Sequence, residues 1–236
     1  MIAIYGRRFI VTNVPVEPTD PTTPVPSGDR YFLVGDSITA GAGASNPSLA
    51  YPPMLESISG RPVRTSATYG RSVQESVQPW NATNSLYNIL FNPTQNQSTY
   101  DLIPVYDPTI RYLLIRLGVN DIIQQSGSAT NVGTFKTTYR TCLNYIMNTL
   151  NYPASKIGFI GIGHNFTYPT LIPSYNNAIS ELSNEIGALG VCDIFNADIA
   201  YCTANGVTLQ SIYSDDVHPN DIGHNLHAET VKLKYP

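Results

Sequence analysis

Charge is what this 236-residue chain has least of: 13% of its residues are Asp, Glu, Lys or Arg. The 13 basic residues fall short of the 17 acidic ones, and the formal net charge is −4. There is no basic patch, so the phosphate-contacting footprint of a nucleic-acid-binding protein is missing. No apolar run approaches the length of a membrane span. Cysteine is scarce too. Cys142, Cys192 and Cys202 are odd in number and do not make a full disulfide framework. Cys142 and Cys192 fall at apolar positions and are expected to be buried thiols. A leader is not recognisable in Met1 to Arg8, MIAIYGRR, because the charges follow the apolar residues instead of preceding them. That leaves the compartment open between the cytoplasm and an extracellular or virion-associated location reached by another route.

What is present divides the chain in two. Pro15 to Gly28, PVEPTDPTTPVPSG, holds five prolines in fourteen residues. Such a segment cannot form a helix or an inner strand and favours an extended, semi-rigid spacer. Residues 1–28 are therefore expected to be an N-terminal arm and linker, and residues 29–236 the domain. The arm has two readings: an extended tail lying along the domain, or an attachment to a larger assembly. The apolar fraction of 42% is ordinary for a globular chain and allows a sizeable core.

From Tyr31 onward, strand and helix patterns alternate, which predicts a parallel sheet covered on both faces. Strands are expected at Tyr31 to Val34, Pro62 to Thr68, Tyr112 to Leu117, Lys156 to Gly163 and Val191 to Phe195. A helix is expected over Tyr51 to Ser59, with Pro52-Pro53 in its first turn and Gly60 as its stop. Val132, Phe135, Tyr139, Cys142, Leu143, Ile146 and Leu150 recur at three- and four-residue spacing, as in an amphipathic helix. Leu171, Tyr175, Ile179, Leu182, Ile186 and Leu189 predict another, closed by Gly190. A last helix is expected from about Asn220 to Lys234. Val77 to Thr109 breaks the alternation and is too long for an ordinary connection. It reads either as a substrate wall or as a plain surface excursion.

Chemistry-bearing residues fall where the predicted strands end. Asp36 and Ser37 lie on the turn that leaves the carboxyl edge of the sheet, where open α/β folds bind ligands. A serine there is a candidate nucleophile if a base reaches it, and otherwise part of a polar turn. Of the histidines at 164, 218, 224 and 227, only His218 has an acid at short upstream spacing, in Ser214-Asp215-Asp216-Val217-His218-Pro219. Asp215, three residues before it, can meet imidazole Nδ1 in a tight turn and leave Nε2 for Ser37. His224 and His227 share a helix face without a third metal ligand and read as solvated or packed. Asn120, in Gly118-Val119-Asn120-Asp121, and the backbone N–H of Gly70 are candidate oxyanion donors. The alternative for Asn120 and Asp121 is an Asx turn. Asp36, Trp80 on the long excursion and His164 at the end of the fourth strand are candidate substrate-binding residues.

Together these stretches resemble the SGNH hydrolase family, the GDSL-type esterases and lipases. Gly35 to Gly41, GDSITAG, looks like the family's first block with Ser37 as nucleophile. Gly70 falls at the oxyanion glycine of the second block, although Thr68 stands where asparagine is frequent. Gly118 to Asp121, GVND, looks like the third block, and Asp215 to Asn220, DDVHPN, like the last. No G-x-S-x-G elbow is present, which disfavours the α/β-hydrolase fold. The resemblance implies a three-layer α/β/α sandwich with a parallel sheet of about five strands. It also implies ester hydrolysis by Ser37, His218 and Asp215, with oxyanion donors from Ser37, Gly70 and Asn120 and no metal or cofactor. Polar loops rich in Tyr and Asn favour an acetylated glycan as substrate. The alternatives are a lipase or lysophospholipase with a short acyl preference, and a binding or structural module such as a virion appendage.

Overall fold

Tyr31 to Val34 is apolar on both sides, as a central parallel strand must be. In the computed structural model it is the middle of β1 (Arg30–Gly35). The structure describes residues 29–74, 85–91, 102–124 and 131–236. The expected arm over residues 1–28 and the candidate Trp80 lie outside those residues.

Four more strands follow: β2 (Val63–Ala67), β3 (Ile110–Arg116), β4 (Ile157–Ile160) and β5 (Val191–Cys192). All neighbouring strands are parallel, in the order β2-β1-β3-β4-β5. The chain leaves β1 for β2 on one side and then crosses to β3 on the other. The connections above β1 and β3 therefore diverge, which opens a crevice at their carboxyl ends.

The helices are α1 (Tyr51–Ser59), α2 (Leu86–Phe91), α3 (Val119–Gln124), α4 (Val132–Asn148), α5 (Ile172–Ile186), α6 (Ile194–Asn205) and α7 (Asp221–Lys234). Helices α1, α6 and α7 pack in one group, and α2, α4 and α5 in another, with the sheet between them. The apolar positions predicted on the fourth helix, Phe135, Tyr139, Cys142, Leu143 and Ile146, are all buried. All three cysteines are buried free thiols.

The last residues of the chain are bound into this core. Tyr31 donates its hydroxyl to the Tyr235 carbonyl at 2.6 Å. The Tyr235 hydroxyl lies 2.8 Å from the Phe159 carbonyl on β4.

Three expectations are corrected. Helix α5 stops at Ile186, because Gly187 takes a left-handed φ of 68° and the Ala188 N–H turns back to Ser183 at 2.9 Å. Strand β5 ends at Cys192, and Phe195 belongs to α6, whose first turn is capped by the Asp193 carboxylate on Asn196 N–H at 3.1 Å. The excursion from Val77 to Thr109 contains a helix, α2, among its described residues.

Candidate active site

Ser37 stands two residues past β1, at the crevice. The turn that carries it is held by its own neighbours. The Asp36 carboxylate accepts from Ile38 N–H at 2.9 Å, Asp36 O from Ala40 N–H at 3.0 Å, and Ser37 O from Ala42 N–H at 2.8 Å. Gly35 must be glycine, because a Cβ there would lie 1.9 Å from Thr39 Oγ1 as the chain folds back over it.

From the opposite end of the sequence, the turn before α7 brings up His218. Its Nε2 lies 2.9 Å from Ser37 Oγ, and its Nδ1 lies 2.7 Å from Asp215 Oδ2. A carboxylate can only accept, so Nδ1 carries the proton and Nε2 presents its lone pair to the serine hydroxyl. Asp215 is fixed as well. Its Oδ1 accepts from the N–H groups of Val217 at 2.9 Å and His218 at 2.8 Å, an Asx arrangement. Partial burial pushes its carboxyl up, but these N–H groups and the His218 imidazole outweigh that and hold it below the usual carboxylate range. Asp216 faces away, where Oδ2 accepts from the Thr167 hydroxyl at 2.9 Å.

The two turns touch at a residue the sequence reading missed. Gly43 has φ +95°, and a Cβ there would lie 2.2 Å from the Pro219 carbonyl and 3.0 Å from His218 Cβ. Only a glycine lets the loop after Ser37 lie against the turn that carries His218.

Gly70 and Asn120, far apart in sequence, are brought together. Three side chains of α3 grip the loop after β2. Asn120 Nδ2 donates to Arg71 O at 2.9 Å and Gln124 Nε2 to Gly70 O at 2.7 Å. Asp121 receives the Val73 N–H on one oxygen at 2.8 Å and the Gln74 N–H on the other at 3.0 Å. Burial pushes the Asp121 carboxyl up to about 7 in spite of those donors. Beneath the loop lies the buried guanidinium of Arg71. It donates to Ser66 O at 2.6 Å and to Thr68 Oγ1 at 3.1 Å, which gives the threonine at the atypical position a structural partner.

Two of the expected substrate contacts are buried and held by neighbouring groups. Asp36 is 1% exposed, and its carboxylate is spent on the nucleophile turn. His164 is 7% exposed and stacks on Phe195 with ring centroids 4.4 Å apart. Of the two readings for His224 and His227, solvated or packed, the second holds: both are fully buried. His224 Nδ1 accepts from Tyr51 N–H at 3.2 Å, and its Nε2 lies 3.0 Å from the Ala42 carbonyl.

Comparison with known proteins gives the family and the fold. The sequence pattern of the GDSL-like lipase/acylhydrolase family matches residues 33–226. None of the curated proteins compared with the chain matches it. Among solved structures, a G-D-S-L family protein from Desulfitobacterium hafniense DCB-2 is similar with a TM-score of 0.61 at 16% identity, over 87% of this chain and 99% of that one. Axe2, an acetylxylan esterase from Geobacillus stearothermophilus, is similar with a TM-score of 0.58 at 17% identity, over 89% of this chain and 95% of that one. A two-domain esterase active on acetylated mannans is similar with a TM-score of 0.56 at 16% identity, and the match covers 87% of this chain but 48% of that one. At these identities the likeness extends to the fold.

Proposed function

Because the chain belongs to the GDSL-like lipase/acylhydrolase family, and so is an ester hydrolase, we propose that it is a serine esterase that removes acetyl groups from carbohydrate. The observation that carries the reading is the unbroken hydrogen-bonded series Ser37 Oγ, His218, Asp215, at 2.9 and 2.7 Å. In this reading Ser37 Oγ attacks the ester carbonyl as its proton passes to His218 Nε2. Asp215 stabilises the imidazolium that results. The carbonyl oxygen becomes an oxyanion facing the N–H groups of Ser37 and Gly70 and the amide of Asn120. One Asn120 N–H is engaged by Arg71 O, which orients the other. The tetrahedral intermediate collapses and His218 gives its proton to the departing alcohol. Water then attacks the acyl-enzyme with His218 as base, and acetate leaves.

Two observations support a glycan substrate: the polar composition of the chain's surface, and a fold shared with esterases acting on acetylated xylan and mannan. The test is a panel of p-nitrophenyl esters of rising acyl length together with acetylated xylan and mannan. Acetyl esters are expected to be cleaved fastest, and Ser37→Ala to lower kcat by on the order of 10⁴ or more with the fold intact. Preference for long acyl chains would overturn the acetyl reading. Near wild-type hydrolysis by Ser37→Ala would remove Ser37 from the mechanism.

A further inference from the structure

A second series of hydrogen bonds lies behind the first, and the ester chemistry does not use it. Its centre is Asp198 on α6, fully buried. Asp198 Oδ2 accepts from the Tyr213 hydroxyl at 2.6 Å, and Oδ1 lies 3.0 Å from His227 Nε2 on α7. The other ring nitrogen, His227 Nδ1, lies 3.2 Å from Arg116 Nη2 at the end of β3. A guanidinium nitrogen only donates, so His227 Nδ1 must accept and the imidazole proton must sit on Nε2, facing Asp198. Every bond in the series therefore has one direction, from Arg116 through His227 to the carboxylate, with Tyr213 entering from the other side. The bonds to Asp198 are charge-assisted and lie in the buried interior, where they are strongest.

The two ends of this series meet the two turns that hold the proposed catalytic residues. Arg116 pairs with Gly35 across the sheet, immediately before Asp36 and Ser37. With Asp36 and His164 it lines a cavity of about 10 Å³. Its guanidinium carbon stands 5.0 Å from the centre of the Tyr51 ring. At the other end, Tyr213 begins the base-bearing turn. It forms an antiparallel bridge with Pro219, and Ser214 N–H donates to His218 O at 2.8 Å to close the turn. The Tyr213 hydroxyl also receives the His164 N–H at 3.0 Å.

We propose that Asp198, His227 and Tyr213 are positioning residues that fix the base-bearing turn at its working distance from Ser37, by tying its root to the buried Arg116 beneath the nucleophile. This rests on the reading of Ser37, His218 and Asp215 as the triad. A series with no bearing on the site would influence stability alone. A positioning series alters the His218 imidazole itself.

The decisive variant is Tyr213→Phe, which keeps the ring and its edge contact with Phe166 and removes only the hydroxyl. Steady-state hydrolysis of p-nitrophenyl acetate is measured alongside long-range ¹⁵N–¹H NMR of the imidazole nitrogens, which reports each histidine's tautomer without substrate. Tyr213→Phe is expected to lower kcat by about tenfold, with KM within about twofold, because it removes the orienting bond to Asp198 together with the acceptor of the His164 N–H. The His218 signals should move away from the pure Nδ1–H tautomer. Asp198→Asn should move the signals of both His218 and His227. The double variant should be no slower than the slower single one, because both act through the Tyr213–Asp198 contact. Wild-type kcat and unaltered His218 signals in Tyr213→Phe would overturn the proposal, whatever its melting temperature. If the wild-type chain hydrolyses no ester, the esterase reading fails, and the NMR comparison still decides whether the series positions His218. If Asp198→Asn does not fold, Tyr213→Phe, which leaves the buried charge in place, decides the question alone.

Discussion

Adjacent carboxylates at 215 and 216 face different partners, and the difference is measurable. Asp215 holds the imidazole in the tautomer that lets Nε2 accept, and in the proposed mechanism its charge would stabilise the imidazolium. Asp216 caps Thr167. Asp215→Asn is expected to cut kcat by on the order of 10⁴, as loss of the orienting carboxylate does in triads of this kind. Asp216→Asn should cost less than about tenfold, under roughly 1.4 kcal/mol. Steady-state kinetics on the two single variants, with circular dichroism as a control for folding, checks the assignment. Gly43 offers an independent probe. Gly43→Ala places a methyl against the Pro219 carbonyl and His218 Cβ. Moving the base by on the order of 1 Å should lower kcat by about 10- to 100-fold while KM changes little. A variant at wild-type kcat would show that the turn absorbs the methyl. The contact of Asp215 with His218 could be read from the sequence because its spacing is local. Gly43 could not, since its contact spans the distance from residue 43 to residue 219 and G-A-G-A reads like any flexible loop.

Among the elements, α3 shows how much a six-residue helix can organise. The Gly-Val-Asn-Asp for which the sequence offers an Asx turn as the alternative to an oxyanion donor leads into a helical turn whose side chains reach the loop after β2. Each oxygen of Asp121 takes one backbone N–H. Asp121→Asn would set an amide N–H₂ against one of those donors, leaving it unsatisfied in the interior. The expected loss is about 1–3 kcal/mol of unfolding free energy, read from the urea midpoint at unchanged slope. An unchanged midpoint would mean that the clamp is redundant. The start and end of α1 were legible because Pro52-Pro53 and Gly60 mark a first turn and a stop. Helix α6 was not. Its apolar residues are spread around the helix, so Ile194 to Asn205 carries no 3.6-residue period, and Val191 to Phe195 reads as one apolar run. Asp193 as a cap three residues before Asn196 is the signal that separates strand from helix there.

For the molecule as a whole, buried imidazoles set the response to acid. Burial holds His224 down to about 4, against the Ala42 carbonyl, which favours its charged form. The folded value lies below the ordinary 6.5, so between pH 6.5 and about 4 the unfolded chain takes up a proton that the folded chain refuses. Stability from this group is complete above pH 6.5 and is lost as the pH falls. His224→Gln can still accept from Tyr51 N–H and donate to Ala42, and it does not titrate. The stability of the variant relative to wild type should therefore rise by about 3 kcal/mol between pH 6.5 and 4. Denaturation at a series of pH values checks this, and a difference independent of pH would mean that His224 takes up its proton without unfolding. The parallel sheet and its five strands were legible from alternation alone. The buried Arg116–His227–Asp198 series was not, because its members come from β3, α7 and α6 and share no motif.

The pairing of α1 with α7, and of Tyr31 with Tyr235, has a consequence during vectorial synthesis. The partner of α1 is made about 160 residues after α1 itself, and at roughly 5–20 residues per second that interval lasts between about 8 and 30 s. Throughout it, the nascent chain carries β1 and α1 with Tyr31, Tyr51 and Leu55 uncovered, and α2, α4 and α5 emerge to cover only the other face of the sheet. Half of the sandwich is thus available early, and the closing layer arrives in a single late step. Holdase chaperones that recognise apolar segments would meet this chain at α1, and a translational pause anywhere between α1 and residue 221 would lengthen that exposure, whereas a pause before α1 would not.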